Sequence, residues 1–232
     1  MSKTYAIGDL HGRLDVLEAA LAKIEQHRRF NGDETGFGTT IVFLGDYIDR
    51  GPHSKGVLDR LMKGPDREAG DQTLWVCLMG NHESMCLQAH DSPMRYWDWW
   101  KENGGDATLL SFNTPRLPEE YLTWMRNLPA SYGDDHRLFV HAGVKSDTLL
   151  EHHTDYELMW VRHPKLQETP HERYVVHGHT PQIDGPHVLE SRVNLDCRAY
   201  TTGMAPIAVF DDEVPGKPVS MLDVRLGYTG FR

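Results

Sequence analysis

Residues 40–51 read Thr-Ile-Val-Phe-Leu-Gly-Asp-Tyr-Ile-Asp-Arg-Gly. An apolar and β-branched run passes directly into a glycine and a knot of charge. A short run of this kind, closed by glycine, predicts a strand buried on both faces. The same figure recurs along the chain. Residues 4–7 lead into Gly8-Asp9, 74–79 into Gly80-Asn81-His82, 137–140 into His141-Ala142-Gly143, and 174–176 into His177-Gly178-His179. Weaker strands are expected at 192–195, 206–210 and 219–224. Between the early strands, Leu14, Leu17, Leu21 and Ile24 follow a helical stripe, and Val57, Leu58, Leu61 and Met62 a second one. Strand, loop and helix in alternation predict an α/β fold with helices on the sheet faces. Ligands in such folds gather beyond the carboxyl ends of the strands, so the polar motifs are expected to converge on one rim.

The stretch 91–132 interrupts this rhythm with Tyr96, Trp97, Trp99, Trp100 and Trp124. It reads as a helical insertion, a subdomain or lid with its own small apolar cluster, inside a single domain spanning 1–232. Its aromatic run, residues 94–100, is expected to pack rather than to form a substrate platform; the edge of a lid is the alternative. A chain of 232 residues can bury a core without disulfides or oligomerisation. Its three cysteines make no disulfide framework and suggest a reduced, intracellular setting. Gly8 and Asp9 come too early for a secretory signal, and no apolar run is long enough to span a bilayer, so a cytoplasmic protein is expected. A net charge of −10 argues against nucleic acid or an anionic membrane as partner.

The 14 histidines are too many for their number alone to mean anything. His27, His53, His90, His136, His152, His153, His163, His171 and His187 lie mostly in polar segments and are expected mostly in solvent. The remaining five stand at strand ends. Taken together, those ends hold Asp9 and His11, Asp46, Asp49 and Arg50, Asn81 and His82, His141, and His177 and His179. Carboxylate, imidazole and amide oxygen suit borderline and hard divalent metals. No cysteine stands among them, which argues against a structural cysteine-type zinc site. Two metals about 3.5–4 Å apart need a shared carboxylate and terminal ligands, and groups of the right kind are present. Asp9 and His11 are two apart, so an extended chain would send both side chains to one side. Asn81 and His82 are adjacent and diverge, one toward a metal and the other toward a substrate. No cysteine is followed by arginine six positions on, and there is neither a D-x-D-x-T nor a G-x-x-x-x-G-K motif, so the cysteine and aspartate nucleophiles and the nucleotide loop that use those patterns are not expected.

Gly8-Asp9-Leu10-His11-Gly12, Gly45-Asp46-Tyr47-Ile48-Asp49-Arg50-Gly51, Gly80-Asn81-His82-Glu83, His141-Ala142-Gly143 and Gly178-His179-Thr180 stand in this order. Together they resemble the calcineurin-like metallophosphoesterases of the phosphoprotein phosphatase family. The resemblance runs from about Tyr5 to Thr180. The segment from Asn103 to Leu109 resembles bacterial and phage members and the related diadenosine tetraphosphatases. The resemblance implies a four-layer α/β sandwich, two mixed sheets with helices outside. It implies Asp9 and His11 as ligands of a first metal, Asp46 as the bridge, and Asn81, His141 and His179 as ligands of a second. It makes His82 the general acid, oriented by Asp49, and Arg50 a phosphate clamp. Arg162, in Met159-Trp160-Val161-Arg162, resembles a second phosphate-binding arginine. His177 takes a supporting or packing place behind the ligands. Asp196-Cys197-Arg198 departs from the Asp-Thr-Gly turn often found there and receives no role. The implied cofactors are two divalent metal ions, manganese foremost, with iron or zinc as alternatives. The implied reaction is hydrolysis of phosphoserine and phosphothreonine by water activated between the metals, without a phosphoenzyme. The alternatives are cleavage of diadenosine tetraphosphate or a similar phosphoanhydride, and a catalytically inactive binding module. The implied partner is a phosphoprotein or a small phosphoester.

Overall fold

The computed structural model describes residues 2–67, 69–146, 148–162 and 171–227. Within them the strands, in chain order, are β1 (Lys3–Ile7), β2 (Thr39–Phe43), β3 (Leu74–Cys77), β4 (Ser131–Gly133), β5 (Arg137–Val140), β6 (Tyr174–His177), β7 (His187–Val188), β8 (Arg192–Asn194), β9 (Met204–Asp211) and β10 (Ser220–Arg225). The α-helices are α1 (Leu14–Phe30), α2 (Ser54–Lys63), α3 (Asn81–Asp91), α4 (Pro93–Trp100), α5 (Asp106–Phe112), α6 (Glu119–Arg126), α7 (Asp155–Trp160) and α8 (Ala199–Thr202). One five-stranded sheet has the order β10-β9-β1-β2-β3, the other β4-β5-β6-β8-β7. Each contains a parallel trio, β1-β2-β3 and β5-β6-β8, extended by antiparallel strands. The fold is therefore the expected pair of mixed sheets with helices outside.

The apolar runs are continuous because both faces of the central strands are covered. Side chains alternate along a strand. Ala6, Val42, Ala208 and Phe210 of the first sheet meet Phe139, Val176 and Val193 of the second in a core between the sheets. Tyr5, Ile7, Ile41 and Phe43 point the other way, onto Val16, Leu17 and Ile24 of α1 and Val57, Leu58 and Leu61 of α2. Leu158 of α7 covers Val140 and Val175 on the outer face of the second sheet.

Three features differ from the sequence reading. The strands β4 and β7 were not foreseen. They are edge strands of three and two residues, made by backbone pairing and without an apolar run. The apolar side chains of 91–132 do not form a cluster of their own. Trp100, Leu117, Tyr121, Leu122 and Met125 join the core that α1 and α2 cover, because α4 and α6 pack on it. The histidines expected in solvent are also more enclosed than their polar surroundings suggest. His53, His152 and His187 are exposed, whereas His27, His136, His153 and His171 are half-buried. His90 is buried against Trp97 and Trp100, with Nδ1 on the Cys86 carbonyl at 2.8 Å and Nε2 accepting from the Leu117 N–H at 3.1 Å. An imidazole has an apolar body and two polar tips, so a wall of aromatic rings with local backbone partners suits it. His163 lies outside the described residues. Cys77, Cys86 and Cys197 are free. Among the described residues, no helix is long and apolar enough to cross a membrane.

Candidate dinuclear metal centre

Loops leaving the carboxyl ends of β1, β2, β3, β5, β6 and β8 are tied to one another by their backbones. The N–H groups of Leu10 and His11 both donate to the Asp46 carbonyl, at 3.1 and 2.8 Å. The Gly178 N–H donates to the His141 carbonyl at 2.8 Å, and the Leu195 N–H to the His177 carbonyl at 2.8 Å. These turns are strained. Among the described residues, the non-glycine residues with positive φ are His11, Asp46, Asp49, Arg50, Asn113, His179 and Arg198. Five of them are site candidates from the sequence, and such conformations persist only where the surroundings enforce them. Gly45, at φ 99°, lets this loop pass the backbone of Gly80; a Cβ there would lie 2.6 Å from the Gly80 nitrogen.

What holds the Asp46 loop is Glu83, a residue given no role from sequence. Its buried carboxylate accepts N–H bonds from Asp46 (2.8 Å) and Gly80 (3.0 Å) on Oε2, and from Tyr47 (2.8 Å) and Ile48 (3.3 Å) on Oε1. Burial, and then the Asp46 charge beside it, push Glu83 up to about 7 against the pull of those donors. In Glu83→Gln an amide group would face two N–H donors and leave them unpaired in the interior. Each buried unpaired donor costs about 1–3 kcal/mol. The variant should therefore lose roughly 3 kcal/mol in denaturant unfolding with an unchanged m-value. A loss below about 0.5 kcal/mol would contradict this anchoring role.

Two groups of potential ligand atoms form around Asp46, one with His11 and His82 and one with His141 and His179, the atoms of each lying within 4.8 Å of one another. Asp46 Oδ2 is 3.5 Å from His11 Nε2 and 3.9 Å from His82 Nε2, and Oδ1 is 3.4 Å from His141 Nε2. The Asn81 amide oxygen is 2.9 Å and His179 Nδ1 3.2 Å from His141 Nε2. His11 Nδ1 faces the Ile48 carbonyl at 2.9 Å and His141 Nδ1 the Leu44 carbonyl at 2.8 Å. A carbonyl only accepts, so both Nδ1 atoms carry protons and both Nε2 atoms are turned to the centre. Asp9 is at the same rim, its Oδ1 accepting the His179 N–H at 3.1 Å, but its carboxylate belongs to neither group of three. The rule that sends residues two apart to one side of an extended chain does not apply to Asp9 and His11, because β1 ends at Ile7 and His11 has φ 43°.

The donor set fits two divalent cations. Asp9, Asp46, Glu83 and Asp196 are all buried. Burial, then the Asp196 charge, hold Asp9 well above the usual carboxylate range. Burial likewise raises Asp196. His141 is raised to about 10, burial opposing the shift and the Asp46 charge driving it. Converging acceptors and like charges in a dry site are the condition that bound cations relieve. His179 Nε2 is buried with no hydrogen-bond partner.

The groups without a ligand assignment sit around this centre. Arg50 donates from Nη1 to His11 Nε2 at 2.7 Å and from Nη2 to His82 Nε2 at 2.9 Å, its guanidinium carbon lying 5.1 Å from the Tyr200 ring centroid. His82 Nδ1 is 2.7 Å from Asp49 Oδ2. Asp49 also accepts from Thr108 Oγ1 at 2.7 Å and from Trp100 Nε1 at 3.0 Å. The π-helical turn Lys101–Gly105 brings the Gly104 carbonyl to 3.1 Å from the Arg50 N–H. The 91–132 stretch thus holds the Asp49-Arg50 loop in place. Arg162 is exposed just beyond α7, and its charge acts on His179. His177 is buried in β6 with Nε2 accepting from Arg192 at 2.8 Å; burial and then the Arg192 charge lower it to about 3. Tyr200, Trp100 and Thr108 were missed. For Asp196 a signal existed: it follows Leu195 at a sixth strand end, in the same apolar-to-acid pattern as Asp46.

A model of the calcineurin-like phosphoesterase family matches residues 2–204. Over 141 residues the chain is 33% identical to a protein of Janthinobacterium sp. (strain Marseille) named bis(5′-nucleosyl)-tetraphosphatase, symmetrical, covering 61% of this chain and 43% of that one. Over 102 residues it is 29% identical to serine/threonine-protein phosphatase 2 of Escherichia coli (strain K12), covering 44% and 38%. The chain spans less than half the length of these curated relatives. It also superposes on a solved structure described as a candidate diadenosine tetraphosphatase, with a TM-score of 0.66 and 20% identity, covering 99% of this chain and 95% of that one. At that identity the likeness concerns the fold alone. The family match takes in every strand-end motif gathered at the rim, and the chain belongs to the calcineurin-like phosphoesterase family.

Proposed function

We propose that the chain is a metal-dependent phosphohydrolase whose substrate is a symmetrical dinucleoside tetraphosphate, cleaved at a phosphoanhydride, rather than a phosphoprotein. The observation that carries this reading is that several relatives matched at 31–33% identity are named bis(5′-nucleosyl)-tetraphosphatase, symmetrical. It reverses the order in which the motifs alone rank the two substrates. Asp9, His11 and Asp46 would hold one divalent ion, and Asp46, Asn81, His141 and His179 the other. When bound, two such ions supply Lewis acidity toward phosphoryl oxygens and make a water acidic enough to attack phosphorus at neutral pH.

The chain's own residues do the rest. The planar fork of Arg50 grips two phosphoryl oxygens at once, and Arg162 approaches from the solvent side. Stacking on Tyr200 limits the orientations open to the Arg50 fork. His82 donates a proton from Nε2 to the departing oxygen, while Asp49 holds Nδ1–H and so fixes the ring. Trp100 and Thr108 fix Asp49 in turn, which keeps the donor aligned before substrate arrives.

With manganese supplied, diadenosine tetraphosphate and a phosphothreonine peptide assayed side by side should differ in kcat/KM by about 10²-fold or more in favour of the dinucleotide. Preferential turnover of the peptide would overturn the proposal. Turnover of neither with manganese, iron or zinc would leave a binding module.

A further inference from the structure

Beside the candidate centre lies a series of near-parallel aromatic rings that hydrolysis itself does not use. Trp160, the last residue of α7, stacks on Trp99 of α4 with centroids 5.9 Å apart and an angle of 18°. It also stacks on Tyr156, one helical turn back, at 5.8 Å and 21°. The Trp160 ring stands edge-on to the His179 ring at 6.3 Å and 75°. Yet the outer rings stay open to solvent: Trp99 is 37% exposed and Tyr156 65%.

The aromatic run of α4 is therefore divided. Trp100 turns fully into the core, Trp97 packs partly against it, and both touch His90. Trp99 faces the other way, with Tyr96 of its own helix tilted beside it at 6.1 Å and 56° and Trp160, from a different part of the chain, stacked on it. Packing explains Trp97 and Trp100; it does not explain an exposed stack pinned against a potential metal ligand. Outer rings exposed to this degree offer aromatic surface on which a further flat group can stack. Arg162, exposed two residues after Trp160, adds a cation whose charge reaches His179. A ligand that suits these features has a flat aromatic group at one end and an anionic phosphate chain at the other.

We propose that Trp99, Trp160 and Tyr156 form a stacking subsite for a nucleobase of a nucleotide whose phosphates enter the candidate metal centre. This rests on the dinucleotide reading for what the anchored phosphates belong to. A base stacked on an outer ring is one ring removed from His179, which leaves room for ribose between base and phosphate. A phosphotyrosine side chain has its phosphate directly on the ring and no such spacer. The stack accepts any base, because every base has a π-face.

The test is binding of AMP and of ribose 5-phosphate to the protein as purified, followed by stopped-flow tryptophan fluorescence before turnover. AMP should bind about tenfold more tightly, the scale of one base stacking on an aromatic ring. Alanine at the outer ring that carries the base, Trp99→Ala or Tyr156→Ala, should cut that preference to about twofold, and an aromatic replacement such as Trp99→Phe should keep most of it. Both alanine changes are at solvent-open rings, so the fold should survive them. In turnover, the alanine variant that loses the AMP preference should raise KM for diadenosine tetraphosphate about tenfold, with kcat within about twofold and tripolyphosphate hydrolysis unchanged. Equal binding of AMP and ribose 5-phosphate, or a preference undiminished in both alanine variants, would overturn the subsite. O-phosphotyrosine bound more tightly than AMP through the same rings would overturn it too. If AMP binding behaves as expected but the dinucleotide is not turned over, the subsite stands and the dinucleotide reading fails.

Discussion

Asp46→Asn is expected to empty both metal positions at once. Elemental analysis of the wild-type protein should find about two divalent ions per chain, and the variant should hold well under one. The reason is geometric. Asp46 is the one carboxylate common to both ligand groups, with Oδ2 facing His11 and His82 and Oδ1 facing His141. An amide has one weaker oxygen acceptor and a nitrogen that repels a cation, so at least one group loses its anionic ligand outright. Activity should fall by about 10³-fold or more, since several kcal/mol of charge stabilisation depend on the bound ions. A readout apart from catalysis follows from mass action. Manganese should raise the wild-type melting temperature and leave the variant nearly unmoved, because a ligand stabilises only the state that binds it. Two ions retained tightly in Asp46→Asn would rule out a bridging role.

The second large effect belongs to His82, where the structure presents two possibilities. Its Nε2 is part of the His11–Asp46 group, yet its Nδ1 is held by Asp49 and its Nε2 already meets the Arg50 guanidinium. A ring whose Nδ1–H is held by a carboxylate suits proton transfer at Nε2 once a substrate phosphate draws the Arg50 guanidinium from that nitrogen. His82→Asn should accordingly lower kcat by about 10²–10⁴-fold, with two ions per chain retained and KM changed little. The loss should be smaller for a phosphoanhydride than for an alkyl phosphoester, because a departing phosphate is a weaker base than an alkoxide and needs its proton less. Loss of one bound ion in this variant would make His82 a ligand instead.

The chemistry-bearing residues were legible because each follows its own apolar run. Asp9, Asp46, Asn81, His141 and His179 stand within a few positions of a strand end, so one local pattern reports both the strand and the group it carries. Glu83 was not legible in this way. It stands in the first turn of α3, where a glutamate is ordinary, and its backbone partners at Asp46, Tyr47 and Ile48 are 37, 36 and 35 residues away. The spacing argument for Asp9 and His11 lacks its premise, since it presumes an extended chain and His11 has a left-handed backbone, so their common metal rests on the resemblance rather than on the two-residue period. The aromatic run of α4 misled in part, since its helical phase separates Trp100 from Trp99 but does not reveal that Trp160 waits for one of them.

From the sequence alone follow the strands that carry polar ends and the kinds of ligand those ends offer, because a short apolar run closed by polar residues is a local pattern that survives in one dimension; the two mixed sheets were implied only by the family resemblance. The tertiary structure puts Asp46, which the resemblance implies as the bridge, between two histidine groups, and it alone decided that Glu83 holds the Asp46 loop, that Asp196 adds a further buried carboxylate, and that Trp99, Trp160 and Tyr156 form one stack. Each of these depends on distances between segments far apart in the chain. Such distances are fixed by how the two sheets pack and by the left-handed turns at their ends, and no local pattern encodes them.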